Sequence, residues 1–303
     1  MRIVFFGTPE FAAHSLEKIV NEGFEVVAVI TAPDKPAGRG RQLKSSEVKD
    51  MALKLNLPVL QPTNLKDPTF LSEFNLLNAD LGVVIAFRML PISVWSAPKF
   101  GTVNLHASLL PNYRGAAPIQ HAIIQGETVT GVTTFFLKHE IDTGDLIDQE
   151  EVQIDATETG GTLHDKLMHV GANLMVQSLH KIKSMGQNVP TFPQKNVENL
   201  KSAPKLNREF CKINCDENKI AILNKIRGLS PYPCAWIETN WGEMKIYDAE
   251  ISNTTDKFIE DSNVFVANKK MYLNCSDGVI EIKSLQIQGK SRMDAKSFIN
   301  GLK

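Results

Sequence analysis

Between Arg2 and His106 the chain alternates unbroken apolar runs with segments of helical period, and few architectures accommodate that alternation. Arg2–Phe6, Glu25–Thr31, Pro58–Leu60, Leu81–Phe87 and Thr102–His106 have strand length and little internal polar patterning. A strand that is apolar at successive positions has to be covered on both faces. The intervening segments Pro9–Glu22, Ser45–Leu55 and Pro68–Leu77 read as helices. In the first of them Phe11, Leu16, Ile19 and Val20 share a face, and Thr8 is the expected N-cap. This order predicts a mostly parallel α/β sheet sandwiched between helices.

After His106 the pattern changes. Gly131–Phe136 and Leu146–Ile154 read as strands flanking a turn, and Thr159–Met185 keeps Leu163, Leu167, Val170, Leu174 and Leu179 on roughly one helical face. Residues 187–206 are polar, hold prolines at 190, 193 and 204, and have no sustained period, so they read as an extended linker. Beyond it, Glu217–Arg227 reads as a helix ended by Gly228. Five strand candidates follow: Cys234–Glu238, Met244–Ile251, Asn263–Ala267, Met271–Asn274 and Val279–Gln288. Short strands of this number and spacing fit a small β-barrel of the OB type. The expected organisation is a Rossmann-like α/β domain over 1–186, a linker over 187–206 and an OB-like β-barrel domain over 207–303.

Composition excludes several classes. With 303 residues, 43% hydrophobic and 22% charged, the chain is long enough for two cores. It has no apolar run of membrane-spanning length, so no membrane partner is expected. The opening MRIVFFGTPEF goes straight into a strand and turn, leaving no room for a signal peptide. Cys211, Cys215, Cys234 and Cys275 complete no zinc-like spacing and are expected as reduced, buried thiols in a cytoplasmic protein. Residues 1–186 carry 16 Lys and Arg against 20 Asp and Glu, whereas residues 187–303 carry 17 against 14. A mildly basic C-terminal third is compatible with a polyanionic partner, as it is with ordinary solvated surface.

The segment richest in chemistry is Asn104–Pro111, NLHASLLP, at the end of a predicted buried strand. Asn104 and His106 are two apart on extended backbone and so point the same way. Asp142 lies in the turn-like EIDTGD run, where it is available to an imidazole. An amine attacking a carbonyl generates an oxyanion, which donors from Asn104 and a protonated His106 can hold while Asp142 favours the imidazolium and helps remove the ammonium proton. The alternative is structural: a hydrogen-bonded histidine at a strand end and an asparagine tying two loops together. Position favours chemistry, because open α/β sheets place ligands beyond the C-terminal ends of their strands. The Gly7-Thr8-Pro9-Glu10 turn lacks GxGxxG spacing, and Pro9 removes a donor a phosphate would need. Ala32–Leu43, APDKPAGRGRQL, is expected to be an irregular loop whose Lys35, Arg39 and Arg41 either reach phosphates or lie in solvent. His14, His121, His139, His164, His169 and His180 show no ligand spacing, and no metal site is expected.

Taken in order, FGTPEFA (6–12), APDKPAGRGRQL (32–43), NLHASLLP (104–111), YRGAAPIQ (113–120) and DTGD (142–145), with PYP-x-x-W at Pro231–Trp236, resemble the folate-dependent formyltransferases and, among them, the methionyl-tRNA formyltransferases. The resemblance spans essentially the whole chain and is strongest over residues 1–165. It implies formyl transfer from 10-formyltetrahydrofolate to the amino group of methionyl initiator tRNA, giving the formylated tRNA for translation initiation. Folate would be a co-substrate, with no tightly bound cofactor. Asn104, His106 and Asp142 match the family's catalytic trio, Ser108, Leu109, Leu110 and Pro111 its folate-binding segment, and Lys35, Arg39 and Arg41 the loop that meets the tRNA. A monomer is expected. The chain departs from the pattern at Ala86-Phe87-Arg88, where a glycine usually follows the aromatic residue, at Asn214-Cys215, and at Ser230.

Two other functions compete. One keeps formyl transfer but gives it a sugar-nucleotide amine or glycinamide ribonucleotide as acceptor, which would leave the 32–43 loop and the C-terminal domain without a use. The other is an RNA-binding protein on a retired catalytic fold, against which the intact Asn104, His106 and Asp142 argue.

Overall fold

The apolar runs of the first half become the central strands of one sheet. In a computed structural model describing residues 1–37, 42–195, 197–252 and 263–302, seven strands lie side by side. Their order is Leu146–Gln153, Val129–Phe136, Thr102–His106, Leu81–Ile85, Arg2–Gly7, Glu25–Ile30 and Val59–Leu60. The last five are parallel to their neighbours, and Val129–Phe136 runs antiparallel to Thr102–His106. Ile3, Val4, Phe5 and Phe6 are all 0% exposed, which is the double-sided burial that an unbroken apolar strand requires. Val4 and Phe6 pack with Ala28, Ile30, Val84, Phe70, Phe74 and Val94 in one apolar cluster.

Local chemistry explains the helices. Ser46 caps Glu47–Lys54 by accepting from the Lys49 N–H at 3.1 Å. Asp67 accepts from Thr69 and Phe70, with Pro68 in the first helical turn of Pro68–Leu76. The first helix, Glu10–Asn21, is a correction: its N-cap is Pro9, with no side-chain cap bond, and Thr8 instead offers its carbonyl to Val48 N. The Leu81–Phe87 run stops being strand at Ile85, because Ala86 turns to φ +47° and Phe87 folds back to 5.9 Å from the Phe6 ring. Lys35–Ala37 and Gln42–Lys44 pair as a short antiparallel ribbon where an irregular loop was expected. An isolated ribbon has outer edges at which the missing N–H of Pro36 costs nothing.

The described residues divide into two compact units that interleave along the chain. One comprises Met1–Arg114, Gly131–Val152 and Asp165–Lys201; the other comprises Gly115–Thr130, Gln153–His164 and Ser202–Lys303. In the second unit the strands Ala235–Thr239, Gly242–Ile251, Gly278–Ile287, Lys270–Cys275 and Val264–Ala267 follow one another in that spatial order. They form an antiparallel half-barrel, to which Met293–Asp294 adds beside Gly278–Ile287. Its core includes Ile226, Leu229, Trp236, Met244, Ile246, Leu273, Ile282 and Phe298.

Gly228 does not end its helix, which runs over Lys219–Leu229 behind an Asn218 cap. Without a side chain it lies close against Pro118–Ile124: a Cβ there would sit 2.8 Å from Ile124 Cγ1. Tertiary packing therefore uses the residue that local propensity reads as a stop. A last helix, Ala295–Asn300, capped by Asp294 onto Ser297 N, was not predicted. All four cysteines are free; burial pushes Cys215 up to about 11, and Cys234 and Cys275 up to about 12, so these three hold their protons. Among the described residues no helix is long and apolar enough to cross a membrane.

Candidate active site

Thr102–His106 is where the sheet changes from parallel to antiparallel. Val84 stands beside Asn104 on one side, and Phe135 and Thr133 stand beside Asn104 and His106 on the other. The two-residue spacing puts Asn104 and His106 on one face at the strand's end. His106 is 7% exposed, and its ring is held on one side by Nε2 against the Tyr113 carbonyl at 2.8 Å. A carbonyl only accepts, so Nε2 carries a hydrogen and Nδ1 is the nitrogen left for chemistry. Nδ1 faces Asp142 Oδ2 at 3.9 Å, both side chains being about nine-tenths buried. That separation is longer than a direct hydrogen bond and leaves an oxygen or a proton carrier a place beside both groups.

Asp142 reaches this position on strained backbone. It sits at φ +55°, in the left-handed region that is uncommon for residues other than glycine and that aspartate enters more readily than most. The turn is tied by Thr143 Oγ1 donating to Glu140 O at 3.0 Å, and Gly144 lies directly against the Phe136 carbonyl. A Cβ at Gly144 would come within 1.6 Å of that oxygen, so no side chain fits without moving the turn. Gly144→Ala should therefore lower the unfolding free energy by about 1–3 kcal/mol, as overpacking does. It should also lower kcat; a wild-type denaturant midpoint would show that the turn accommodates the methyl group.

The segment after His106 is braced from within. Ser108 is fully buried, and its hydroxyl donates to Asn112 O at 2.7 Å. Thr133 Oγ1 donates to Ser108 O at 2.6 Å and accepts from Leu110 N at 3.2 Å, while Gln149 Nε2 donates to both Leu110 O and Thr133 Oγ1 at 2.9 Å. The Leu110 side chain is buried with Phe135 and Leu146, and Leu109 lies over Gly131. Of the four residues expected to seat a folate, Ser108 and Leu110 thus turn their side chains into the protein. Leu109 and Pro111 remain half-buried.

The other predicted residues are less assembled. Lys35 is exposed on the short ribbon, whereas Arg39 and Arg41 lie outside the described residues. At the ribbon's base Asp34 meets Lys49 and Gln61; the Lys49 ammonium, then the Gln61 amide, hold its carboxyl below the usual range. Arg88, one of the departures, donates to the Pro62 and Thr63 carbonyls.

Three features escaped the sequence. Thr133 and Gln149 carry no motif. Gln194, in the stretch read as a linker, donates to the carbonyls of Asp142 and Gly144. Part of that stretch is bonded to the sheet: Phe192 and Leu146 exchange backbone hydrogen bonds at 2.8 and 2.9 Å. The histidines show no ligand spacing in the sequence, yet His169 Nδ1 lies 3.0 Å from His14 Nε2. Burial, then the neighbouring His169, lowers the His14 pKa. Among the described residues no group of three His, Cys, Asp or Glu side chains is arranged to hold a metal ion.

Comparison with known proteins agrees with this architecture. The formyl transferase family matches residues 1–179, and the formyl transferase C-terminal domain family matches residues 205–303. The methionyl-tRNA formyltransferase of Flavobacterium johnsoniae is 48% identical over 306 residues, covering 100% of this chain and 96% of that protein. Two solved structures share the fold at lower identity. The N-formyltransferase of Helicobacter canadensis, in complex with folinic acid and dTDP-3-aminofucose, has a TM-score of 0.67 at 22% identity over 92% of this chain and 97% of that one. HypX from Aquifex aeolicus, in complex with tetrahydrofolic acid, has a TM-score of 0.66 at 17% identity over 99% of this chain, which spans only 47% of HypX. With matching N- and C-terminal families and near-half identity along its full length, the chain belongs to the methionyl-tRNA formyltransferase family of formyl transferases.

Proposed function

We propose that this protein transfers the formyl group of 10-formyltetrahydrofolate to the amino group of methionyl initiator tRNA. The structural observation that carries the reading is His106, whose Nε2 is fixed on Tyr113 O while Nδ1 faces Asp142, with Asn104 on the same strand face. The methionyl amine attacks the formyl carbon, forming a C–N bond and pushing the carbonyl electrons onto oxygen. The Asn104 amide donates to that oxyanion, as does the Nδ1–H of His106 in its imidazolium form, the form that carries hydrogens on both ring nitrogens. The attacking nitrogen loses a proton toward Asp142, directly or through a water. Collapse of the tetrahedral intermediate breaks the bond to the folate nitrogen, which takes up the proton that Asp142 received and leaves as tetrahydrofolate, regenerating the carboxylate.

Ser108–Pro111 supply the wall against which the folate is seated, Leu109 and Pro111 with their side chains and Ser108 and Leu110 through backbone held by Thr133 and Gln149. Lys35, Arg39 and Arg41 meet the phosphates of the acceptor arm. Residues 207–303 bind the body of the tRNA, and 187–206 connect them to the catalytic residues 1–186. The protein works as a cytoplasmic monomer. The test is formylation of charged initiator tRNA against charged elongator methionine tRNA with 10-formyltetrahydrofolate as donor. Preferential formylation of the initiator is expected. No formylated product, or faster transfer to a sugar-nucleotide amine, would overturn the reading.

A further inference from the structure

Gln194 occupies a position that neither helix nor strand periodicity marks, yet it ties together two loops of the site. Its Nε2 donates to Asp142 O at 2.8 Å and to Gly144 O at 2.9 Å. Its Oε1 accepts from Arg114 Nε at 3.1 Å and from Arg114 Nη2. Only one orientation of the amide satisfies this network: reversed, the NH2 group would face the guanidinium and the oxygen would face two carbonyls. A few residues on, the same segment holds the other side of the histidine. Lys201 O accepts from Tyr113 N at 2.6 Å, and Lys201 N donates to Asn112 Oδ1 at 3.3 Å. The Tyr113 carbonyl in turn orients His106 Nε2. Asp142 at φ +55° is a conformation that has to be held by its surroundings, because local sterics disfavour it.

From this geometry we infer that Gln194 is a positioning residue for catalysis. It clamps the Asp142 turn through two donated hydrogen bonds, with Arg114 as its anchor, and so sets the distance between the Asp142 carboxylate and His106 Nδ1. The inference rests on the role proposed for Asp142. With Gln194 on the Asp142 turn and the Lys201 backbone on Asn112 and Tyr113, both partners of the His106–Asp142 pair are braced.

The test compares kcat and KM for both substrates in the full-length chain carrying Gln194→Ala, Gln194→Glu, Asp142→Asn or the double change Asp142→Asn with Gln194→Ala. Gln194→Glu keeps an acceptor for Arg114 but turns a carboxylate toward two carbonyls, so it removes the clamp and spares the anchor. Each Gln194 variant should lose roughly ten- to hundred-fold in kcat with KM little changed, as expected for two hydrogen bonds. The double variant should be no slower than Asp142→Asn alone, because the clamp acts only through that carboxylate. Wild-type kcat in Gln194→Ala beside a crippled Asp142→Asn would overturn the inference and leave the Asp142 reading intact. Losses that multiply in the double variant, or a KM that rises as kcat falls in both Gln194 variants, would also overturn it by marking a general structural role. Full activity in Asp142→Asn would instead overturn the Asp142 reading itself.

Discussion

Replacing His106 with alanine should lower kcat by about 10²–10³-fold, or roughly 3–4 kcal/mol, the range lost when a single oxyanion donor is removed. The geometry says why the effect is concentrated in turnover. Nε2 is committed to Tyr113 O at 2.8 Å, so in the proposed mechanism Nδ1 is the nitrogen presented to the reacting group. Removing the ring takes away a donor whose contribution grows as charge develops on the formyl oxygen, and so leaves KM for folate and tRNA nearly unchanged. The substitution also removes one hydrogen bond to Tyr113 and should cost about 1 kcal/mol of stability, which a denaturant titration reads separately. Turnover near the wild-type rate in a folded His106→Ala protein would remove the mechanism.

Asp142→Asn is expected to cost a similar factor, about 10²–10³-fold in kcat, for a different reason. The amide keeps the size of the carboxylate and the hydrogen bond its backbone accepts from Gln194. What it loses is charge. An amide presents no negative charge across the 3.9 Å gap to His106 Nδ1, and it cannot take up the proton that the amine must shed. Pre-steady-state formyl transfer should show a slower chemical step with folate binding retained. A variant that binds folate poorly but transfers at the normal rate would place Asp142 in substrate binding.

Much of the site was legible because its signals are short-range. The period-2 rule put Asn104 and His106 on one face without knowledge of any neighbour, and the strand Thr102–His106 has the expected bounds. The doubly buried strands Arg2–Gly7 and Leu81–Ile85 announced a parallel sheet through composition alone. Illegible features were those in which a local preference lost to a distant contact. Gly228 reads as a helix stop, but its missing Cβ lets one helix approach Ile124. Thr8 reads as a cap, yet Pro9 takes the position. Gln194 sits among prolines and polar residues, and nothing within several positions of it signals the Asp142 turn 52 residues earlier. His14 and His169, 155 residues apart, could be paired only once two helices were placed.

By itself the sequence determined the sheet's class and the strand end that carries Asn104 and His106 on one face, since burial pattern and side-chain alternation depend on neighbours a few residues away. Tertiary structure alone decided that His106 presents Nδ1, that Asp142 stands 3.9 Å from it on left-handed backbone, and that Gln194 and Arg114 hold it there. Those contacts follow from strand order and register. A displacement of one residue along a strand would send His106 to the opposite face of the sheet, and no local preference encodes that choice.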